Sequence, residues 1–140
     1  METTTRWGVR LSAGLAIIDK RRVSPEKAEA VHILGDVEGK NAIVVDDLIA
    51  TAGSVIEAIE ALKEAKAKEV RVAVSHGVLS GPAIENINKC RALKELIISD
   101  SIPFENGKKC PKIKVLSVSD LLGEAIRRIH FEQSVSSLFD

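Results

Sequence analysis

Tyrosine is absent, and three Phe and one Trp bring aromatic residues to only 3% of the chain. That scarcity excludes the stacking platforms that hold single-stranded nucleic acid. An excess of one charge is also missing. Lys and Arg number 20 and Asp and Glu number 20, so the formal net charge is zero, and no bulk field draws the chain to a polyanion or an anionic membrane. No apolar run reaches membrane-spanning length, and the polar start Met1-Glu2-Thr3-Thr4-Thr5 carries no signal-peptide pattern. The two cysteines, Cys90 and Cys110, sit in no C-x-x-C or Cys/His cluster. This leaves neither a zinc site nor a disulfide framework, and the pair reads as free thiols of a reducing cytosol. There is no G-x-x-x-x-G-K-[ST] nucleotide loop, no internal repeat and no low-complexity linker.

What remains is a chain of 140 residues with 45% hydrophobic content, enough for one ordinary domain spanning 1–140. Residues 1–14 read as a shortened or artificial start. The charge is uneven at that end, where Arg6, Arg10, Lys20, Arg21 and Arg22 face only Glu2 and Asp19. A basic cluster in a neutral chain points to a small local anion.

Short apolar runs at Leu15–Ile18, Ala42–Val45, Val70–Val74, Leu96–Ile98 and Ile113–Leu116 predict strands, and the segment from Val31 to Lys40 predicts an edge strand and a turn. Between Gly53 and Ala65, Val55, Ile56, Ile59 and Leu62 recur at helical spacing, with Glu57, Glu60, Lys63 and Glu64 on the other side as a solvated face. A short helix is predicted after Ser80-Gly81-Pro82, and a longer one from Asp120 to about His130 with Ser119 as its cap. Strands alternating with helices imply an α/β fold with a parallel sheet, right-handed crossovers and helices on both faces.

The most informative stretch is AIVVDDLIATAGS, Ala42 to Ser54. In such a sheet, ligands bind beyond the carboxyl ends of the strands, where this stretch puts Asp46 and Asp47. Thr51, Ala52, Gly53 and Ser54 lead into the next helix, whose start offers unpaired N–H groups and a positive dipole end. Thr51 and Ser54 add hydroxyls, and Gly53 permits close backbone approach. These features together suit a phosphate. Two carboxylates repel that same phosphate, so they must serve another part of the ligand, such as vicinal hydroxyls, directly or through Mg²⁺. The ligand with both features is a sugar phosphate. Alternation along a strand directs adjacent residues opposite ways, so one acid is expected to meet the sugar and the other to brace the loop.

The same stretch resembles the phosphoribosyl diphosphate-binding motif of the type I phosphoribosyltransferase fold. Further segments resemble the ribose-phosphate pyrophosphokinase family, the phosphoribosyl diphosphate synthases. They are Ala16–Arg22 (AIIDKRR), Gly35–Lys40 (GDVEGK), Ser75–Ala83 (SHGVLSGPA), Glu124–His130 (EAIRRIH) and Ser134–Phe139 (SVSSLF). The resemblance runs from about residue 15 to the last residue and covers only the second of the family's two related domains. It implies transfer of the β,γ-diphosphoryl group of ATP to the C1 hydroxyl of ribose 5-phosphate, giving phosphoribosyl diphosphate and AMP. By the same resemblance, Lys20 and Arg22 stabilise the transferring group, Asp46 contacts the ribose hydroxyls with Asp47 beside it, and Ala50, Thr51, Ala52, Gly53 and Ser54 wrap the 5-phosphate. Many family members carry an acid where this chain has Ala50, so a hydroxyl or metal contact is lost there while the backbone N–H survives. The resemblance places Ser134, Ser136 and Phe139 at a regulatory site for ADP or phosphate in a subunit interface. It also places most Mg²⁺ and ATP ligands in the absent half, and implies a homo-oligomer acting without nucleic acid or membrane.

His76, after a predicted strand at the ligand end of the sheet, reads as a loop-bracing or interface residue rather than a catalytic one, and His32 and His130 as structural or exposed. Two alternatives stay open: a non-catalytic synthase-associated regulatory subunit, and a purine phosphoribosyltransferase, whose D-D-x-x-A-T pattern matches but whose base-recognising hood has no segment here.

Overall fold

The computed structural model describes residues 12–21, 30–104 and 110–138, with backbone only at 20, 21, 30 and 31. Strand β1 (Ile17–Arg21) pairs antiparallel with β2 (Ala30–Leu34), from Ile17 opposite Leu34 to Arg21 opposite Ala30. This pair is a separate two-stranded sheet beside the expected parallel one. Only residues 22–29 join the two strands, too few for the crossover that a parallel pair needs. The first strand also runs on past the apolar residues at 15–18 into Lys20 and Arg21, because backbone pairing rather than burial sets its end.

The remaining strands form one parallel sheet in chain order: β3 (Asn41–Ile49), β4 (Glu69–Gly77), β5 (Leu93–Ser99) and β6 (Ile113–Leu116). Helix α1 (Gly53–Glu64) links β3 to β4, and α2 (Ala83–Lys89) links β4 to β5. Because the strand order equals the chain order, right-handed crossovers put both helices on the same face. Val70, Val72 and Val74 of β4 and Leu93, Leu96 and Ile98 of β5 are buried there, with Val55, Ala58, Ile59 and Leu62 of α1 and Ala83 and Ile87 of α2. The helical spacing read from the sequence selected this face of α1, and Ala58 joins it. Full burial of side chains such as Ile59 or Leu96 contributes roughly 1.5–3 kcal/mol each.

On the opposite face, Ile43 of β3 and Leu116 of β6 remain 55% and 59% exposed. No helix joins β5 to β6 among the described residues. Helix α3 (Ser119–His130) follows β6 and buries none of its residues. Its cap differs from the expectation. Val118, not Ser119, is the N-cap and has no side-chain capping bond. The turn is held instead by the Asp100 carboxylate, which accepts the Val118 N–H at 2.9 Å, and by the Ser117 hydroxyl, which accepts the Ser119 N–H at 3.2 Å. No described helix is long and apolar enough to cross a membrane. Cys90 and Cys110 are both free and buried.

Gly35 is required by its turn. Its φ of +121° is unfavourable for other residues, and a Cβ there would lie 2.7 Å from the Leu15 carbonyl oxygen.

Candidate functional site

The carboxyl end of β3 carries the acid pair. Asp46 and Asp47 are both exposed, and the Asp47 N–H donates to Asp46 Oδ1 at 2.9 Å. Neither carboxylate is bonded to the 50–54 loop among the described residues, so the expected bracing by one of the acids is not what holds that loop. Its bracing comes from the β4–α2 connection. The Leu79 N–H donates to the Ile49 carbonyl at 3.1 Å, the Ser80 N–H to the Ala50 carbonyl at 3.0 Å, and Asn86 Nδ2 to the Thr51 carbonyl at 3.1 Å.

Within the loop, Ala50 is half-buried, Thr51 and Ser54 are exposed, and Ala52 is buried as the N-cap of α1 at φ 68° and ψ −2°. Gly53 opens the helix, and the Ile56 N–H makes its first bond, to the Ala52 carbonyl at 3.0 Å. An alanine cannot cap with its side chain, and the first turn contains no acid. The positive end of this 12-residue helix thus has neither a side-chain cap at Ala52 nor an acid in its first turn. The predicted order of features is present: acids at the strand end, then hydroxyls, then an anion-favouring helix start.

At the end of β4, His76 Nδ1 lies 2.8 Å from Ser101 Oγ, and the Ser101 and Ser99 hydroxyls both donate to the Ser75 carbonyl. His76 thus ties the ends of β4 and β5 together, as a bracing residue does. Lys20 lies in β1 opposite Val31, with its backbone alone described, and Arg22 lies outside the described residues.

The C-terminal segment folds back on α3. Glu124 accepts from Arg127 at 2.8 Å and from Arg128 Nε at 2.7 Å. Arg128 Nη1 reaches on to the Ser134 carbonyl at 3.1 Å and to the Ser137 hydroxyl. These two guanidinium groups pull the Glu124 carboxyl down from 4.5 to about 2. The Ser134 hydroxyl accepts the Ser136 N–H at 3.3 Å, while Phe139 lies outside the described residues. Sequence reasoning missed Arg128 as the anchor, although Glu124, Arg127 and Arg128 show the i, i+3, i+4 spacing of one helix surface. It missed Asn86 as well, for which no local signal exists.

No group of three or more His, Cys, Asp or Glu capable of holding a metal occurs among the described residues. Asp46 and Asp47 alone do not form a Mg²⁺ cage, although one or two carboxylates with a ligand phosphate would be an ordinary Mg²⁺ arrangement. A shallow surface concavity lies along α2, lined by Gly81, Pro82, Ile84, Glu85, Asn88 and Lys89, and includes none of the strand-end residues.

A parallel α/β sheet with an acid pair and an anion-favouring loop at one strand end defines a domain of the type I phosphoribosyltransferase kind. More narrowly, the chain belongs to the phosphoribosyl synthetase-associated domain family, which matches residues 5–140. It is 50% identical over 139 residues to the ribose-phosphate pyrophosphokinase of Clostridium acetobutylicum, covering 99% of this chain and 43% of that one. It is 54% identical over 131 residues to that of Oceanobacillus iheyensis, covering 94% and 41%. The crystal structure of phosphoribosylpyrophosphate synthetase from Mycobacterium smegmatis superposes with a TM-score of 0.84 at 34% identity, over 94% of this chain and 42% of that one. The chain thus spans about two fifths of the length of the relatives it matches.

Proposed function

We propose that the chain is the sugar-phosphate-binding domain of a ribose-phosphate pyrophosphokinase, the second of its two related domains. The observation that carries this reading is the end of β3, where two exposed carboxylates precede a helix start with neither side-chain cap nor first-turn acid. Asp46 and Asp47 take the ribose hydroxyls, and Ala50, Thr51, Ala52, Gly53 and Ser54 take the 5-phosphate. In the complete reaction, the C1 hydroxyl oxygen bonds to the β-phosphorus of ATP and loses its proton. The bond from that phosphorus to the α,β-bridging oxygen breaks, and AMP leaves. Charge spreads over the transferring oxygens, so fixed cations lower the barrier. Lys20 supplies a mobile point charge and Arg22 a bidentate one. ATP and most Mg²⁺ contacts belong to the portion of the relatives that this chain does not span, and so does turnover. An oligomer is part of the same reading.

A non-catalytic partner of a full-length synthase is the second reading. It is favoured by the family's description. Lys20→Ala separates the two: it abolishes phosphoribosyl diphosphate formation in a complete assembly if the chain is catalytic, and leaves it intact if the chain is an accessory.

The binding reading is tested by calorimetric titration of ribose 5-phosphate with Mg²⁺ into this chain and its Asp46→Ala variant. Saturable heat that the variant loses supports it, and equal heat from both variants places the sugar elsewhere.

A further inference from the structure

We infer that Asn86 is a positioning residue that aims the backbone N–H groups of the 50–54 loop at the bound phosphate. The inference rests on the reading of that loop given above. Three successive loop carbonyls, those of Ile49, Ala50 and Thr51, are taken by Leu79 N–H, Ser80 N–H and Asn86 Nδ2 at 3.1, 3.0 and 3.1 Å. In a planar trans peptide, the C=O of one residue and the N–H of the next point in opposite directions. Fixing the Ala50 and Thr51 carbonyls against the β4–α2 connection therefore turns the Thr51 and Ala52 N–H groups away from it. Neither of those N–H groups donates a hydrogen bond among the described residues, and Ala52 is only 3% exposed. A backbone N–H without a protein partner next to a helix start is available to a bound anion.

The backbone on both sides of this contact is held in an unfavourable region. Leu79 has φ 47° at 2% exposure, and Ala52 has φ 68°. Non-glycine residues are uncommon in the left-handed region, and such strain gathers at ligand clamps. Asn86 is the one side chain among the three donors, so it can be altered without changing the loop's own sequence. It does not touch the ligand itself.

The experiment is an NMR titration of the chain with inorganic phosphate and with ribose 5-phosphate, following the Thr51 and Ala52 amides. Wild type, Asn86→Asp and Asn86→Ala are compared, and the exchange protection of the Ile59 and Leu96 amides reports an intact core. The expected result is phosphate-dependent shifts at Thr51 and Ala52 in wild type, and affinity reduced about tenfold in both variants with core protection unchanged. Shifts in wild type with undiminished affinity in both variants overturn the inference and leave the binding reading standing. An affinity lost only together with core protection in both variants also overturns it, because Asn86 is then a stability residue. No shift at Thr51 or Ala52 with either ligand overturns the reading of the loop itself, and the inference with it.

Discussion

Lys112 closes the end of the helix that carries Asn86: its ammonium lies 2.6 Å from the Cys90 carbonyl oxygen, immediately after α2. It also donates to the carbonyls of Ile87 at 3.0 Å and Asn88 at 3.2 Å. The Ile87 and Asn88 carbonyls are among those that a helix leaves unpaired at its C-terminus, where the dipole favours a cation, and the Cys90 carbonyl also accepts the Leu93 N–H at 3.3 Å. The lysine comes from the segment just before β6, so one side chain joins the sheet edge to the helix supporting the candidate site. Lys112→Met keeps most of the apolar stem and removes the three donors. We expect it to lower unfolding free energy by about 1–3 kcal/mol, from lost charge-assisted bonds and exposed helix-end carbonyls. Urea denaturation at neutral pH measures it; an unchanged midpoint would show that water replaces the ammonium without loss.

Gly77 ends β4 against the fully buried Ile98. A Cβ added at Gly77 would lie 2.8 Å from Ile98 Cδ1 and 3.1 Å from its Cγ2. Gly77→Ala therefore overpacks the core by one methyl, at a cost of about 1–3 kcal/mol. Ile98→Val removes the nearest atom, Cδ1, and should recover part of that loss. A double-mutant cycle with a coupling energy of zero would contradict the contact.

The parts of this molecule legible in the sequence are those fixed by neighbouring residues. Val70, Val72 and Val74 alternate into the core, and Val55, Ile59 and Leu62 share a helical face, so β4 and α1 follow from periodicity alone. Asp46 and Asp47 sit at the end of an apolar run, so their place at the strand's carboxyl end follows as well. What was not legible depends on contacts distant in sequence. Thr51 is held by Asn86, 35 positions away, and Cys90 by Lys112, 22 positions away. Polar residues such as these look like ordinary surface in a one-dimensional pattern. β1 ran through Lys20 and Arg21 because its antiparallel partner, not its apolar content, fixes its length.

Helix α3 turns an apolar stripe to solvent. Leu122 is 56% exposed, Ile126 68% and Ile129 67%, at spacings that place them on one side of the helix. Among the described residues, little burial depends on them. The double substitution Ile126→Glu and Ile129→Glu is therefore expected to change unfolding free energy by no more than about 0.5 kcal/mol, as at ordinary surface positions. Leu96→Ala in the buried sheet should cost about 2–5 kcal/mol. A loss of several kcal/mol from the α3 pair in thermal unfolding would mean that this stripe packs on residues of the chain outside those described.

Acid should release the C-terminal segment before it unfolds the sheet. Glu124 is held by Arg127 and Arg128, which lower its carboxyl from 4.5 to about 2, and Arg128 in turn holds the Ser134 carbonyl and the Ser137 hydroxyl. Because the folded value lies below the unfolded one, the stabilisation is fully present above pH 4.5 and is lost as pH falls toward 2. Protonating Glu124 frees Arg128 from its carboxylate and loosens its grip on the short 3₁₀ turn at Ser136–Leu138. The core that the sheet forms with α1 and α2 is built of apolar side chains, with no charged residue buried among those described. Carbon-detected titration of Glu124, with amide exchange at Ser136, Ser137 and Leu138, should show both changing together below pH 4.5, while Ile59 and Leu96 amides keep their protection. A Glu124 carboxyl titrating at its ordinary value, or a C-terminal segment indifferent to it, would contradict the clamp. Glu124→Gln should give the released segment at neutral pH, and added salt should mimic it only weakly, since the pairs are short and charge-assisted.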